Sequence, residues 1–496
     1  MFDWQFGIAI LVGILAVAAL AAVLVGRSEP KDAVSAWDAG FAKSGETGLA
    51  SKKGIYLGVD PHSGMVLHYN GDRHLMTLGP NGSGKSLRLL YENLIRLKGS
   101  SIVVVDPKGD LARHTLGRRE NDGNRIIVLD PFGASGFGSD GCNPLRGLNP
   151  KSDDFPDDAL SLAEAIIRIE GKEPHFAASA QDLVAAFIMA ECLTGPDGNL
   201  SNVRALLGLN IEGFREAINM MVELGKAKDC PELVVKAGRY ADISSDSREL
   251  LSVISTALTQ TRWLDSRQIG PDLTSEMDHD FASLKKVPTT VYLVLPPRQL
   301  ATHSPWLRLI VTAILQPLLK DTQPAKVPVL LMLDEYPALA EGDGFPIIAR
   351  NMAMFRGYGI KLWSVWQDLS QAERIYGKHW ESFAANAGVL QSFQPQDLKT
   401  AAYLSERSGL AARDHTNWSW NGRTPSFSGS QQGMPLLLPQ AVRALGVGET
   451  LIFSHLASGP VRAFLRFPEE LDKTADAAAS EAEAEAGDDP ETPPHG

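Results

Sequence analysis

Cysteine is scarce in this chain: Cys142, Cys192 and Cys230 are the only three in 496 residues. Their scattered spacing fits neither a disulfide framework nor a thiolate metal site, and such sparing use suits a reducing compartment. Histidine is sparse too, at 11. His62, His68 and His74 belong to no H-E-x-x-H pair or clustered ligand set, which argues against catalytic zinc. An overall basic charge is also missing, since 47 Lys and Arg stand against 59 Asp and Glu for a net −12. That average is uneven, however. Residues 151–280 hold 12 basic and 23 acidic side chains, and residues 469–496 hold one and ten, leaving the remainder at +8. A mildly basic body is therefore hidden behind acidic appendages, and only a basic surface can track a nucleic-acid backbone.

What is present is more specific. Residues 79–86 read GPNGSGKS, matching G-x-x-x-x-G-K-[ST] at every fixed position. Gly79, Gly82 and Gly84 let the backbone curl so that successive N–H groups, including those of Asn81 and Ser83 beside Pro80, converge on a phosphate. Lys85 can reach the β- and γ-phosphates and the Ser86 hydroxyl can ligate Mg²⁺. The apolar stretch 73–78 before the loop predicts a buried strand. The amphipathic run after it predicts a helix whose positive end faces the same anion. The motif thus predicts an ATP site.

Hydrolysis needs a second, acidic element. Residues 329–333, VLLML, form a continuous apolar strand that ends in Asp334 and Glu335. In open α/β sheets ligands bind at that carboxyl edge. Asp334 is expected at the metal and Glu335 as general base for the attacking water. Gln367 ends the next predicted strand, 360–367, as a neutral sensor of the γ-phosphate. A cation beyond Lys85 is also required. Arg356, shortly before that strand, and Arg73, shortly before the loop, are the candidates. Asp106 and Lys108, on the turn DPKGD after the strand 102–105, belong to the same ligand edge without a defined role. The alternatives are a helix-capping Asp-Glu pair, a solvent-facing Gln and ordinary surface arginines.

Along the chain, residues 6–26 are 21 without a charge. As a helix they span about 31 Å, the thickness of a bilayer core. A cleavable signal sequence would carry a basic start, whereas Asp3 stands there. We expect one transmembrane segment within 1–26, with the bulk of the chain on the side that holds ATP, the cytoplasm. A Gly/Ser/Ala-rich linker follows at 27–52. Strand–helix alternation over 53–150 and 285–467 predicts an α/β domain with a mostly parallel sheet, interrupted by an all-helical insertion at 151–284. Residues 413–433, rich in Asn, Ser and Gly, are expected to be a mobile loop. The tail 468–496 is acidic, lacks aromatics and is expected to be disordered.

Several longer stretches carry a resemblance: RHLMTLGPNGSGKS, VVVDPKGDL, LLMLDEYPALAEG, FRGYGIKLWSVWQDLSQAERIYG and NAGVLQSFQPQDLKTAAYLSERSG. From about residue 55 to 467 the chain resembles the coupling proteins of type IV secretion and conjugation, TraG/TraD-like P-loop ATPases. The resemblance implies a RecA-like motor in the bacterial inner membrane, a homo-hexamer using ATP and Mg²⁺. It implies partners in a type IV secretion apparatus, a relaxase–DNA complex or effector protein as cargo, and single-stranded DNA as a further ligand. It also implies that Arg356 and Arg73 serve the site, across a subunit boundary. The chain shows one span where many relatives have two, and Met434-Pro435-Leu436-Leu437 where they carry Arg-Pro-Leu-Leu. Two rivals are an FtsK-like DNA translocase, which would have several spans and a DNA-reading C-terminal domain, and a nucleotide-gated docking receptor that hardly hydrolyses ATP. A soluble metabolic kinase would explain neither the span nor the acidic appendages.

Overall fold

The computed structural model describes residues 39–466, apart from 44–45, 170–172, 242, 245–246, 278, 341–343 and 421–424. The predicted membrane helix at 6–26 and the acidic tail at 468–496 lie outside the described residues. The chain forms two compact units, one built on Ser408–Leu436 and the other on Phe41–Arg407 with the chain from Leu437.

The larger unit is organised by one sheet. In chain order its strands are β1 (Ile55–Val59), β2 (Val66–Tyr69), β3 (His74–Leu78), β4 (Ser101–Val105), β5 (Arg125–Leu129), β6 (Thr289–Leu293), β7 (Val329–Leu333), β8 (Ile360–Trp366) and β9 (Ala387–Ser392). In the smaller unit follow β10 (Leu410–Trp420) and β11 (Pro425–Pro435). The sheet then closes with β12 (Glu449–Ser454) and β13 (Val461–Phe464). The spatial order is β2-β1-β13-β12-β9-β3-β8-β7-β4-β6-β5. The seven strands from β9 to β5 pair in parallel, and the four at the other edge pair antiparallel.

The parallel strands are apolar runs because both of their faces are covered. Alternate residues of each strand enter two different cores. Val103, Val105, Leu331, Leu333, Leu362 and Trp366 face one side. Val104, Leu330, Met332, Trp363 and Val365 face the other. The first core runs without a break into the helices between β5 and β6, where Phe155, Leu183, Phe187 and Phe214 are all buried, and takes in Trp306 on the helix Pro297–Lys320 after β6. Those helices include Phe155–Ile166, Pro174–Thr194, Leu200–Leu207, Ile211–Ala227, Pro231–Ala241 and Arg248–Thr261. The polar breakers become caps: Asn199, Asn210 and Ser247 each accept a hydrogen bond from a backbone N–H three residues on. Pro174–Thr194 is long and apolar enough to span a membrane, but 72% of its most apolar window is buried among these helices. It is a core helix.

Two sequence expectations change. The stretch 413–433, read as a loop, forms most of the antiparallel hairpin β10–β11, paired from Leu410↔Pro435 to Trp420↔Pro425. Its polar, Gly-containing composition hid the strands, because neither face alternates cleanly between apolar and polar. The strands β1 and β2 also escaped notice. Gly58 interrupts their register with φ +138°, and a side chain there would meet Ala463 Cβ and Phe464 O at 3.0 Å.

One polar group ties the second face together. Arg119, fully buried, donates to Thr290 Oγ1, Asn124 Oδ1 and the carbonyls of Leu94, Leu97 and Ser100. It thereby joins the helix Asp110–Asn121 to the end of the helix after the loop and to β6. Arg119→Met leaves those acceptors buried without donors, at a cost of about 3 kcal/mol or more. An unfolding free energy, from urea titration, lowered by less than about 1 kcal/mol would show the network to be dispensable.

Candidate nucleotide site

β3 ends at Leu78 and the glycine loop begins. The Gly79 amide donates to the Trp366 carbonyl at 3.0 Å, tacking the loop to the end of β8. Gly82 (φ +78°) and Gly84 (φ +86°) occupy the left-handed region that favours glycine. Gly84 caps a helix that opens with a wide turn over Lys85–Leu90 and continues as Tyr91–Arg96. Lys85 is 6% exposed, and its ammonium donates back to the Gly79 carbonyl at 3.2 Å. The loop therefore presents backbone N–H groups, a helix N-terminus and one buried cation to the same point.

β8 lies between β3 and β7, so the acids at the end of β7 are one strand removed from the loop. The Ser86 hydroxyl donates to Asp334 Oδ2 at 2.9 Å across 248 positions of sequence. The other oxygen of Asp334 accepts the Glu335 amide at 3.2 Å. Burial pushes the Asp334 carboxyl well up from its ordinary range. The Glu335 charge adds to this, and the Ser86 hydroxyl and Lys85 oppose it. Glu335 itself has φ +56°, a conformation that costs a non-glycine residue about 1–3 kcal/mol. Its Oε2 accepts the Gln367 side-chain amide at 3.3 Å. Asp106, at the end of β4, accepts the Ala112 amide at 2.8 Å. Its pKa is raised to about 6, mainly by burial, with Asp110 and Asp334 contributing.

These groups share one cleft of about 630 Å³ at the carboxyl edge of the sheet. Its lining includes Asn81, Gly82, Gly84, Lys85, Ser86, Asp106, Lys108, Asp334, Glu335 and Gln367. It also includes Leu87, Tyr91, His114, Pro297 and Leu300, which sequence reasoning missed. Nothing in their residue types signals a ligand, and Leu87 and Tyr91 read simply as positions on a helix.

The two arginines are elsewhere. Arg73 precedes β3 and Arg356 precedes β8, so both stand at the amino edge of the sheet. With five and seven residues in those strands, they are about 16 and 23 Å from this chain's own cleft. Arg356 Nε instead donates to Asp72 Oδ2 at 2.6 Å, with both side chains exposed. The expectation that Arg73 lies beside the nucleotide because it precedes the loop is therefore corrected: a whole strand intervenes.

The chain spans 62% of a conjugal transfer protein TraG from Escherichia coli, to which it is 25% identical over 409 residues, 76% of its own length. It spans 56% of protein VirD4 from Agrobacterium fabrum, at 24% identity over 399 residues and 76% of its own length. It thus covers about three-fifths of the curated relatives it matches. In fold it is similar to the plasmid coupling protein TrwB, solved in complex with ADP and Mg²⁺. That match has a TM-score of 0.64 at 16% identity, covering 86% of this chain and 94% of that one. A trigonal form of TrwB with sulphate superposes with a TM-score of 0.65 at 15% identity, covering 86% and 94%. The family described as type IV secretory system conjugative DNA transfer matches residues 42–463, and the chain belongs to it.

Proposed function

We propose that this protein is a membrane-anchored ATPase of RecA-like architecture. It takes a DNA–protein complex or an effector protein to a type IV secretion channel and couples Mg²⁺-ATP hydrolysis to its delivery. The observation that carries the catalytic part is the Ser86–Asp334 hydrogen bond, which joins the phosphate-binding and acidic halves of the site. The DNA cargo and the secretion system rest on the family's description and its relatives' names, and the effector cargo and the homo-hexamer on the resemblance alone.

The residues fit a magnesium ion. Among the described residues there is no cluster of three or more His, Cys, Asp or Glu able to hold a metal. One hydroxyl and one buried carboxylate, with phosphate and water completing the shell, suit Mg²⁺ rather than zinc. Bound there by Ser86 and Asp334, the ion would neutralise charge on the phosphates. Lys85 swings from the Gly79 carbonyl to the β- and γ-phosphates, while the loop amides hold the β-phosphate. Glu335 takes a proton from the attacking water, and the Gln367 amide holds its carboxylate in line. Arg356, with Arg73 beside its edge, supplies the remaining cation to a neighbouring subunit's cleft in a homo-hexamer. The span at 6–26 anchors each subunit in the bacterial inner membrane with the motor in the cytoplasm.

A docking receptor with little turnover is the second reading, favoured by the distance of Arg73 and Arg356 from this chain's own cleft. Turnover separates the two. Lys85→Ala abolishes nucleotide binding, whereas Glu335→Gln keeps binding and lowers the hydrolysis rate about 100-fold or more. A wild-type rate no higher than that of Glu335→Gln, at concentrations where rings form, would establish the receptor.

Mixing tests the arginine. Arg356→Ala and Glu335→Gln proteins, each nearly inactive alone, should regain measurable turnover together, because an intact cleft then sits beside an intact Arg356. An Arg356→Ala protein as active as wild type reduces that residue to a surface partner of Asp72.

The raised acids set a pH dependence. Asp106 holds its proton up to about pH 6 when folded, against an ordinary carboxylate value of 3.8 when unfolded. Its ionisation therefore opposes folding as pH rises from about 4 through 6, and the penalty is complete above that. At pH 7.5 Asp106→Asn should stabilise the nucleotide-free chain by about 1–3 kcal/mol, with little effect near pH 4. Thermal melts across that range that move in parallel would refute the assignment.

A further inference from the structure

A hollow of about 330 Å³ lies where the helical insertion meets the helix Pro297–Lys320. Three arginines line it from separate stretches of chain: Arg168 beyond the helix Phe155–Ile166, Arg262 beyond Arg248–Thr261, and Arg308 within Pro297–Lys320. No Asp or Glu stands among the described residues that line it. Arg308 is 1% exposed, and its Nε donates to the Ala165 carbonyl at 3.0 Å. Arg168 Nη2 donates to Ser304 Oγ at 3.3 Å. Trp263, 2% exposed, lines the same hollow, and its Nε1–H has no acceptor among the described residues. Glu164 and Asp265, on the same stretches, are paired with Arg350 and Arg204.

Arginines beside helix ends have an ordinary use, since the carbonyls of two helix C-termini converge here. Those ends carry about −0.5 charge each, against three guanidinium groups. An excess of about +2 remains, and it calls for an anion. The hollow is larger than a single oxyanion needs and of the size that holds an organic ligand. A nucleic-acid strand would also want an aromatic face for its bases, and Trp263 is too deeply buried to offer one. Carboxylates on a peptide need only the donors.

We propose that this hollow is a docking site for acidic peptide, and that its occupant is the chain's own segment 478–496. That segment holds Glu481, Glu483 and Glu485 separated by single alanines. Bound in extended form it presents three carboxylates on one side, about 7 Å apart, one for each arginine. Sheet polarity allows the connection. β13 pairs antiparallel with β12, β12 with β9, and β9 lies parallel to β3, so β13 ends at the carboxyl edge. The helix Pro297–Lys320 leaves that same edge after β6, and Arg308 is about 17 Å along it. β13 and β6 are seven strands apart, about 34 Å. The 15 residues from Arg466 to Glu481 extend to about 50 Å, enough to make the crossing.

A synthetic peptide of residues 478–492 is titrated into the full-length protein. In the wild type the tethered segment competes at an effective concentration near millimolar. The peptide should therefore bind about tenfold more tightly to the full chain carrying Glu481→Gln, Glu483→Gln and Glu485→Gln. Within that triple variant, Arg262→Glu should weaken peptide binding about tenfold, and Arg125→Glu, at the amino edge, should leave it unchanged. Both arginines are exposed, so the test does not depend on changing buried Arg308. Equal affinity for wild type and triple variant, or no binding to either, removes the tail as occupant and overturns the proposal. So does a loss with Arg262→Glu no greater than with Arg125→Glu. A single-stranded oligonucleotide that displaces the peptide, and is itself weakened by Arg262→Glu alone, makes the hollow a phosphate site instead.

Discussion

The site depends on one hydrogen bond between residues far apart in sequence, from the Ser86 hydroxyl to the Asp334 carboxylate. That contact exists because β3, β8 and β7 run parallel and in register, Leu78 beside Trp366 and Leu333 beside Ser364. The strands end at one edge, and the groups that follow them have nowhere else to go. The register is in turn held by side chains that alternate between two packed faces. A slip by one residue would exchange the faces and bury the wrong set. Core packing and site geometry are therefore a single constraint: the apolar runs that make the strands also align their ends.

The same edge stores unfavourable terms. Asp334 and Asp106 are buried carboxylates pushed up in pKa, Glu335 has a left-handed backbone, and Lys85 is enclosed by its own loop. None of these helps the chain fold. The acids and the lysine are what a cation and a polyphosphate would relieve: the acids would gain a counter-ion, and the lysine a partner stronger than a carbonyl. Such tension gathered in one cleft is the physical signature of a binding site.

Much of this could be read in the sequence, for identifiable reasons. GPNGSGKS is legible because each fixed position answers to one requirement of backbone or charge, and VLLML followed by Asp-Glu is legible because a doubly covered strand is apolar throughout. What escaped has equally definite causes. The hairpin at 410–435 pairs through backbone groups, so its Asn, Ser and Gly give no strand pattern. The wall of Leu87, Tyr91 and His114 draws on two helices that only the sheet brings together. Arg73 misled because closeness in sequence to the loop is not closeness in space when a strand lies between.

The position of the arginines has a consequence for assembly. A parallel strand carries its two ends to opposite edges, so a residue preceding β3 or β8 is turned away from the cleft at their far ends. A short shift cannot undo this, since the separation is a strand length of about 16–23 Å. If hydrolysis needs an arginine besides Lys85, neither Arg356 nor Arg73 can supply it to its own cleft, and both are exposed where a second copy's cleft could be met. In a closed ring each subunit would give an arginine edge to one neighbour and a cleft edge to the other, a head-to-tail contact that closes by rotation. Its partner at rest, Asp72, holds Arg356 at the surface through an exposed ion pair that costs little to break. The polarity of the sheet is thus the physical reason that Arg73 or Arg356 could serve only a neighbouring copy's cleft.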